Sequence, residues 1–383
     1  MALLSRRTLA AAAVLAAAGA APLAAQVSVS GVVYAQYQYQ VAKDTLKADS
    51  SIQHINNFDI TRAYINVTGK FAGGIATRVT ADIFTNSNIP GSRAFRLKYA
   101  YVTWTPEGSA LTYKIGEMHT PWLDYEEALW DYRMQGQMAM ERGGYMSSSD
   151  FGAGIDGKFN ADQFNFQVGV YNGESYSGVL GDQSKDLMAR ASYRLLATDD
   201  GSRVGGLRLT GYAGLGTPSS GGTRNRFIGM ASYRSMDLTL AAQYASTTDT
   251  TTGGNITTAG TSATSPVTNP VNPVTKRTGS VISAYGVFHF PATRLSVLGR
   301  VDITDPNTCT PATPAVASCP ASAGTDKLTR IIAGLAYQLN PNLRLLADVD
   351  LLSYQSGFVV PSGSGYVTYA NRQSAFFQAM FNF

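Results

Sequence analysis

The segment Leu343-Arg344-Leu345-Leu346-Ala347-Asp348-Val349-Asp350-Leu351, entered through Asn340, Pro341 and Asn342, decides the fold class. Leu343, Leu345, Ala347, Val349 and Leu351 fall on one face of an extended chain, and Arg344, Asp348 and Asp350 fall on the other, with Leu346 the exception. Period two is the signature of a strand with one apolar and one polar face. The same split sets Leu207, Leu209, Gly211, Ala213 and Leu215 against Arg208, Thr210 and Tyr212. It also sets Leu187, Ala189, Ala191, Tyr193 and Leu195 against Arg190, Ser192 and Arg194.

Worked outward from these segments, the period predicts strands at 27–41, 55–70, 73–86, 93–105, 110–117, 150–160, 163–173, 184–197, 204–217, 224–235, 236–249, 276–290, 293–305, 326–339, 341–355 and 366–383. The connections alternate strictly between short and long. The long ones are 42–54, 87–92, 118–149, 174–183, 218–223, 250–275, 306–325 and 356–365. A meander with short turns at one end and long loops at the other is what a membrane β-barrel needs, because hydrocarbon tolerates a sheet only when it closes on itself. A soluble sandwich or propeller also alternates, but the charged minority face here is too populated for a packed core. Tyr and Trp interrupt the apolar face near strand ends, as an interfacial girdle does. The chain ends Phe376-Phe377-Gln378-Ala379-Met380-Phe381-Asn382-Phe383, with Ala375, Phe377, Ala379, Phe381 and Phe383 on one face. A terminal Phe after such a strand resembles the signal read by the outer-membrane barrel assembly machinery. The expected architecture is an all-β antiparallel up-and-down transmembrane barrel of about 16 strands.

Composition and the first residues agree with export. The chain has 383 residues, 44% hydrophobic and 15% charged, with 2 Cys, which excludes a disordered polymer and a disulfide scaffold. Arg6 and Arg7, the apolar run Leu9 to Ala21 and the small residues before Gln26 form a leader at 1–25, and residues 26–383 form the barrel. Losing that arginine pair lowers the formal charge from +4 to +2, a balance that leaves no nucleic-acid footprint. Beyond the leader no run of about 18 apolar residues occurs, so helical membrane spans are excluded.

Several blocks carry a resemblance. Phe58-Asp-Ile-Thr-Arg-Ala-Tyr-Ile-Asn-Val-Thr-Gly-Lys70, Leu97-Lys-Tyr-Ala-Tyr-Val102, Ile115-Gly-Glu-Met-His-Thr-Pro-Trp122, Met140-Glu-Arg142 and Val170-Tyr-Asn-Gly173 resemble, in order, the phosphate-selective porin O and P family. The resemblance implies a sixteen-stranded homotrimeric porin whose third long loop folds into the lumen. Family members that select phosphate line pore and loop with basic residues. Here loop 118–149 carries Asp124, Glu126, Glu127, Asp131 and Glu141 against Arg133 and Arg142, a formal −3 that departs from that pattern.

Arg62, Arg78, Arg96, Lys98, Lys114, Arg190, Arg208, Arg300, Arg344 and Arg372 fall on the face expected to line the lumen and outnumber the acids there. Cations around a narrow aqueous channel attract anions, and low-dielectric walls focus the field; alternatively the charges form a cross-strand ladder that braces the wall. The loop also holds Trp122, Tyr125, Trp130, Tyr132 and Tyr145, a set able to stack on sugars or to pack the loop against the wall. Folded inward, it would form the constriction and face Asp124, Glu126 and Glu127 toward Arg78, Arg96 and Lys114. In an exported chain Cys309 and Cys319, in one external loop, are expected to be bridged. Enzyme motifs, a metal-binding pattern and cofactor motifs are not recognisable, and His54, His119 and His289 match no nucleophile pattern. The expected function is passive diffusion of small hydrophilic solutes through the outer membrane, leaning toward anions and in contact with outer-membrane lipids. The rivals are a structural or adhesive barrel with a closed lumen and a sugar-preferring channel.

Overall fold

The computed structural model describes residues 26–41, 45–46, 52–53, 55–85, 92–178, 183–218, 221–251, 276–309, 326–355, 358–362, 365–369 and 371–383. The proposed leader, loop 252–275 and Cys319 lie outside these residues.

Sixteen strands close a barrel: β1 (Gln26–Gln40), β2 (Asn56–Lys70), β3 (Ile75–Thr85), β4 (Arg93–Trp104), β5 (Leu111–His119), β6 (Ser149–Phe159), β7 (Phe164–Tyr171), β8 (Asp186–Leu196), β9 (Gly206–Gly216), β10 (Arg224–Arg234), β11 (Leu238–Thr250), β12 (Lys276–His289), β13 (Leu295–Asp305), β14 (Leu328–Asn340), β15 (Leu343–Tyr354) and β16 (Arg372–Asn382). Each pairs antiparallel with the next, and β16 closes on β1 through Val32 opposite Asn382 and Tyr37 opposite Phe377. The last strand is shorter than the period predicts. Its strand pairing with β15 stops at Leu352 opposite Arg372, with Asn371 still accepting from Tyr354 N at 3.2 Å, and residues 365–369 pair with 358–362 in a separate hairpin.

The barrel is inside out relative to a soluble protein. Leu187, Tyr193, Leu209, Phe227, Tyr244, Leu335 and Val349 are exposed on its outer face, whereas Ser192, Arg208, Thr210, Gln243, Asp302 and Asp348 are buried on the inner one. Lipid rewards the first arrangement and a polar lumen the second. Aromatic pairs gather at the short-turn end: Trp104 with Tyr113 at 5.5 Å, Phe288 with Phe290 at 5.1 Å, and Phe381 with Phe383 at 6.2 Å between ring centroids. Amphipathic and aromatic rings favour such an interface. The terminal residue is fixed there by reciprocal bonds, Gly31 N to Phe383 O at 2.8 Å and Phe383 N to Gly31 O at 3.1 Å.

One glycine sets up the interior. Gly116 of β5 has φ of +125°, and a Cβ there would lie 2.2 Å from the Ala100 carbonyl oxygen. Pairing of β5 with β4 ends one residue later, at Glu117 opposite Ala100. β5 stays paired with β6 as far as His119 opposite Ser149, and after it the chain turns into the lumen.

Candidate functional site: the lumen and its inward loop

The segment between β5 and β6 is tied at its neck, where Thr120 N donates to Ser148 O at 3.1 Å and Thr120 Oγ1 to Ser147 O at 2.5 Å. Pro121 then starts helix α1 (Pro121–Leu129) at a position where a missing N–H costs nothing. A 3₁₀ turn (Arg133–Gln135) and a short helix α2 (Ala139–Arg142) follow. Trp122, Leu123, Tyr125, Leu129, Trp130, Tyr132, Met138 and Met140 are almost fully buried, packed in one cluster with Tyr212, Ile228, Met230, Val281, Tyr285, Leu298, Ile332 and Leu346 of the wall. Trp122 meets Tyr212 at 5.9 Å and Trp130 meets Tyr285 at 5.1 Å. Full burial of a large apolar side chain is worth about 1.5–3 kcal/mol, so apolar contact is the main force seating this loop. Leu346, the exception in the alternation, points inward because it belongs to that seat.

Ionic contacts then fix the loop's position. Asp124 accepts from Arg203 Nη1 at 2.6 Å, in the turn before β9. Burial opposes ionisation of Asp124, yet the Arg203 guanidinium outweighs it and holds the carboxyl well below the usual range. Arg234, at the end of β10, donates to both Asp131 carboxylate oxygens at 3.1 Å, to Leu129 O at 3.0 Å and to Asp200 Oδ2 at 2.6 Å. Arg344 Nη1 donates to Asp131 O at 2.9 Å. Within the loop Arg133 donates to Glu127 and to Glu141, each at 2.8 Å, and to Gly136 O at 2.6 Å. Glu126 is 0% exposed; its Oε2 accepts from Trp122 Nε1 at 3.0 Å, its Oε1 has no partner, and burial pushes its carboxyl up to about 7.

These pairings differ from the expected facing of Asp124, Glu126 and Glu127 toward Arg78, Arg96 and Lys114. Lys114 pairs with Asp156 across the strands, Glu127 with Arg133 of its own loop, and Asp124 with Arg203. The reason is where the apolar side of the loop is seated: its partners lie mainly on β9 to β15, which carries α1 toward the turns preceding β9 and following β10. Arg203 and Asp200 lie in a turn, which shows no alternation, whereas Arg234 closes β10 at the inward parity of Arg226 and Ile228, and only its partners are not legible from the pattern. The inward apolar residues Ile228, Met230, Leu298, Ile332 and Leu346 were the legible trace of the seat.

The basic residues divide into two groups. In the seated half, Arg190 donates to Asn165 Oδ1 at 2.5 Å and lies 4.7 Å from the Tyr125 ring centroid. Arg208 donates to Gly205 O and Asp162 O, both at 2.8 Å, and Arg300 to Asp302 at 2.8 Å. Arg344 additionally reaches Gln338 at 2.7 Å, and Arg372 shares the inward parity of Ser374 and Gln378. In the other half, among the described residues, Arg62, Arg78, Arg96 and Lys98 make no ion pair. Aromatic rings accompany them instead. Arg62 stands 4.7 Å from the Tyr64 centroid, Arg78 4.7 Å from Tyr99, and Arg96 4.4 Å from Tyr176. Arg78 also donates to Asn66 at 2.9 Å and Thr80 at 3.0 Å.

Among the described residues no cluster of three or more His, Cys, Asp or Glu suits a metal. Cys309 is disulfide-bonded, and the only other cysteine of the chain is Cys319.

Comparison with known proteins bears on the same barrel. The channel DcaP of Acinetobacter baumannii is similar in structure at 12% identity and TM-score 0.62, covering 95% of this chain and 99% of that one. OmpT of Vibrio cholerae in a trimer form matches at 11% identity and TM-score 0.59 (94% and 100%), and OmpF of Salmonella typhi in complex with daunomycin at 14% and 0.59 (93% and 97%). At such identities these likenesses establish the fold alone. No curated protein matches significantly. A family profile described as phosphate-selective porin O and P matches residues 32–265, more than half of the chain. With its closed sixteen-stranded barrel, the chain belongs to the phosphate-selective porin O and P family.

Proposed function

We propose that this porin is a trimeric outer-membrane pore through which small hydrophilic solutes diffuse passively, with a preference for anions. The observation that carries the preference is the asymmetry of ion pairing. The loop's formal −3 is largely neutralised in place: Asp124 and Asp131 are matched by Arg203 and Arg234, Glu127 and Glu141 share Arg133, and Glu126 is buried with a raised pKa. Among the described residues Arg62, Arg78, Arg96 and Lys98 have no carboxylate partner. Among the same residues Asp82, Glu117 and Asp348 on the inner face also make no ion pair, but they are buried, whereas Arg62, Arg78 and Arg96 are partly open to the lumen; cations so placed on a low-dielectric wall leave a positive field there.

Trp122 and Trp130 are 0% exposed, so they cannot stack on a passing sugar, and this weighs against the sugar-preferring reading. A trimer has support in the trimer form of the similar OmpT. The leader at 1–25 and the outer-membrane location follow from the same reading. Replacing Arg62 and Lys98 together by Gln tests it. The expected result is unaltered trimers whose anion-over-cation permeability falls several-fold. Unchanged permeability would place the selectivity elsewhere.

A further inference from the structure

Tyr176, on the segment between β7 and β8, lies against two cations. Arg96 Nη2 donates to its hydroxyl at 2.9 Å, and the guanidinium carbon is 4.4 Å from the ring centroid. Lys98 Nζ is 4.5 Å from the same ring. Arg96 is also 5.4 Å from the Phe84 centroid. Lys98 is 1% exposed, with Tyr64 at 5.9 Å and Tyr99 at 5.6 Å from its ammonium and Ser148 Oγ accepting at 2.6 Å.

Two features mark this arrangement as incomplete. Among the described residues no carboxylate lies within 4.0 Å of either cation; Asp82, Glu127 and Glu141 act on Lys98 only through space. Arg96 Nε is buried with no acceptor. A buried ammonium beside a guanidinium calls for a negative charge, and an aromatic face supplies only a small part of it. Tyr176 offers a flat ring and one oxygen acceptor but no charge. A small aromatic carboxylate offers all three.

We infer that Arg96, Lys98, Ser148 and Phe84 form a binding subsite for small aromatic carboxylates, which Tyr176 occupies as a tethered surrogate until such a solute displaces it. The inference rests on the anion-leaning reading and adds a solute class to it. An inorganic anion brings charge without a π-face, and a saturated ring acid brings charge and bulk without one. The flat ring satisfies both cations at once. Because Tyr176 belongs to a connecting segment, removing its side chain leaves every strand pair intact.

The test is block of chloride current through single trimers in a planar bilayer by benzoate, cyclohexanecarboxylate and inorganic phosphate, for the natural chain and for Tyr176→Ala. Benzoate is expected to block the natural channel at a concentration about tenfold below that of cyclohexanecarboxylate, the difference a desolvated cation–π contact provides. Tyr176→Ala, lacking the competitor, is expected to be blocked by benzoate at a several-fold lower concentration still. Equal block by the two acids, or a benzoate block that Tyr176→Ala leaves unchanged or weakens, overturns the subsite. Should Tyr176→Ala fail to insert, the ratio of the two acids on the natural chain decides. A natural channel that conducts chloride preferentially yet blocks equally loses only the subsite; one that prefers cations loses the reading beneath it.

Discussion

Arg234→Ala should loosen the inward loop. In the folded protein this side chain donates five hydrogen bonds: two to Asp131, one to Asp200, and two to the Ala128 and Leu129 carbonyls at the end of α1. Truncating one partner of a fully buried ion pair costs about 3–5 kcal/mol. Arg234 retains 18% exposure and Asp131 25%, so water partly replaces the lost contacts, and we expect about 2–4 kcal/mol. At 1.4 kcal/mol per tenfold, the detached loop becomes roughly 30- to 700-fold more populated. The apolar seat around Trp122 and Trp130 remains, so the docked state still predominates and the release is transient. Single-channel recording reads this directly: Arg234→Ala should show frequent brief current fluctuations on an otherwise ordinary open level, and Arg234→Lys, which keeps the charge but not the fork, an intermediate rate. Fluctuations no more frequent than in the natural chain, in correctly assembled trimers, would assign the loop's anchorage to the apolar cluster alone.

Deleting residues 124–132 removes most of α1 and its seat and should raise single-channel conductance clearly; unchanged conductance would show that the loop does not narrow the path. Glu126 has a carboxyl pKa pushed by burial from its ordinary 4.5 up to about 7; docking should therefore be strongest below about 4.5, weaken as pH rises to about 7 and stay weakest above it. Glu126→Gln, facing the same Arg300, Asp302 and Arg133, should flatten the pH dependence of current fluctuation, and a slope unaltered in that variant would exclude Glu126 as its source. Cys309 and Cys319 should both resist alkylation in denatured, non-reduced protein and react after reduction, whereas two thiols reactive before reduction would exclude the bridge.

The wall was legible in the sequence because a strand between lipid and water must alternate, and Leu343 to Leu351 shows that alternation in nine residues. Leu346 is the instructive exception. Read alone it is noise, but with Ile228, Met230, Leu298 and Ile332 at the same inward parity it records a second apolar surface inside the barrel. The partners of the loop acids were not legible. Asp124 meets Arg203 and Asp131 meets Arg234 only because packing fixes the path of α1, and no local pattern in a turn or at a strand end encodes that meeting. Tyr176 likewise stands in a connecting segment without periodicity, and only the fold carries it to Arg96 and Lys98.

The reversal potential of purified trimers in a planar bilayer across a potassium chloride gradient reads the lumen's charge preference. Ohmic current steps are expected, with a reversal potential of the sign of chloride preference, because Arg62, Arg78, Arg96 and Lys98 face the lumen without carboxylate partners among the described residues while the loop's acids are matched or buried. A reversal potential of the opposite sign, or the absence of steps, would contradict an anion-leaning pore.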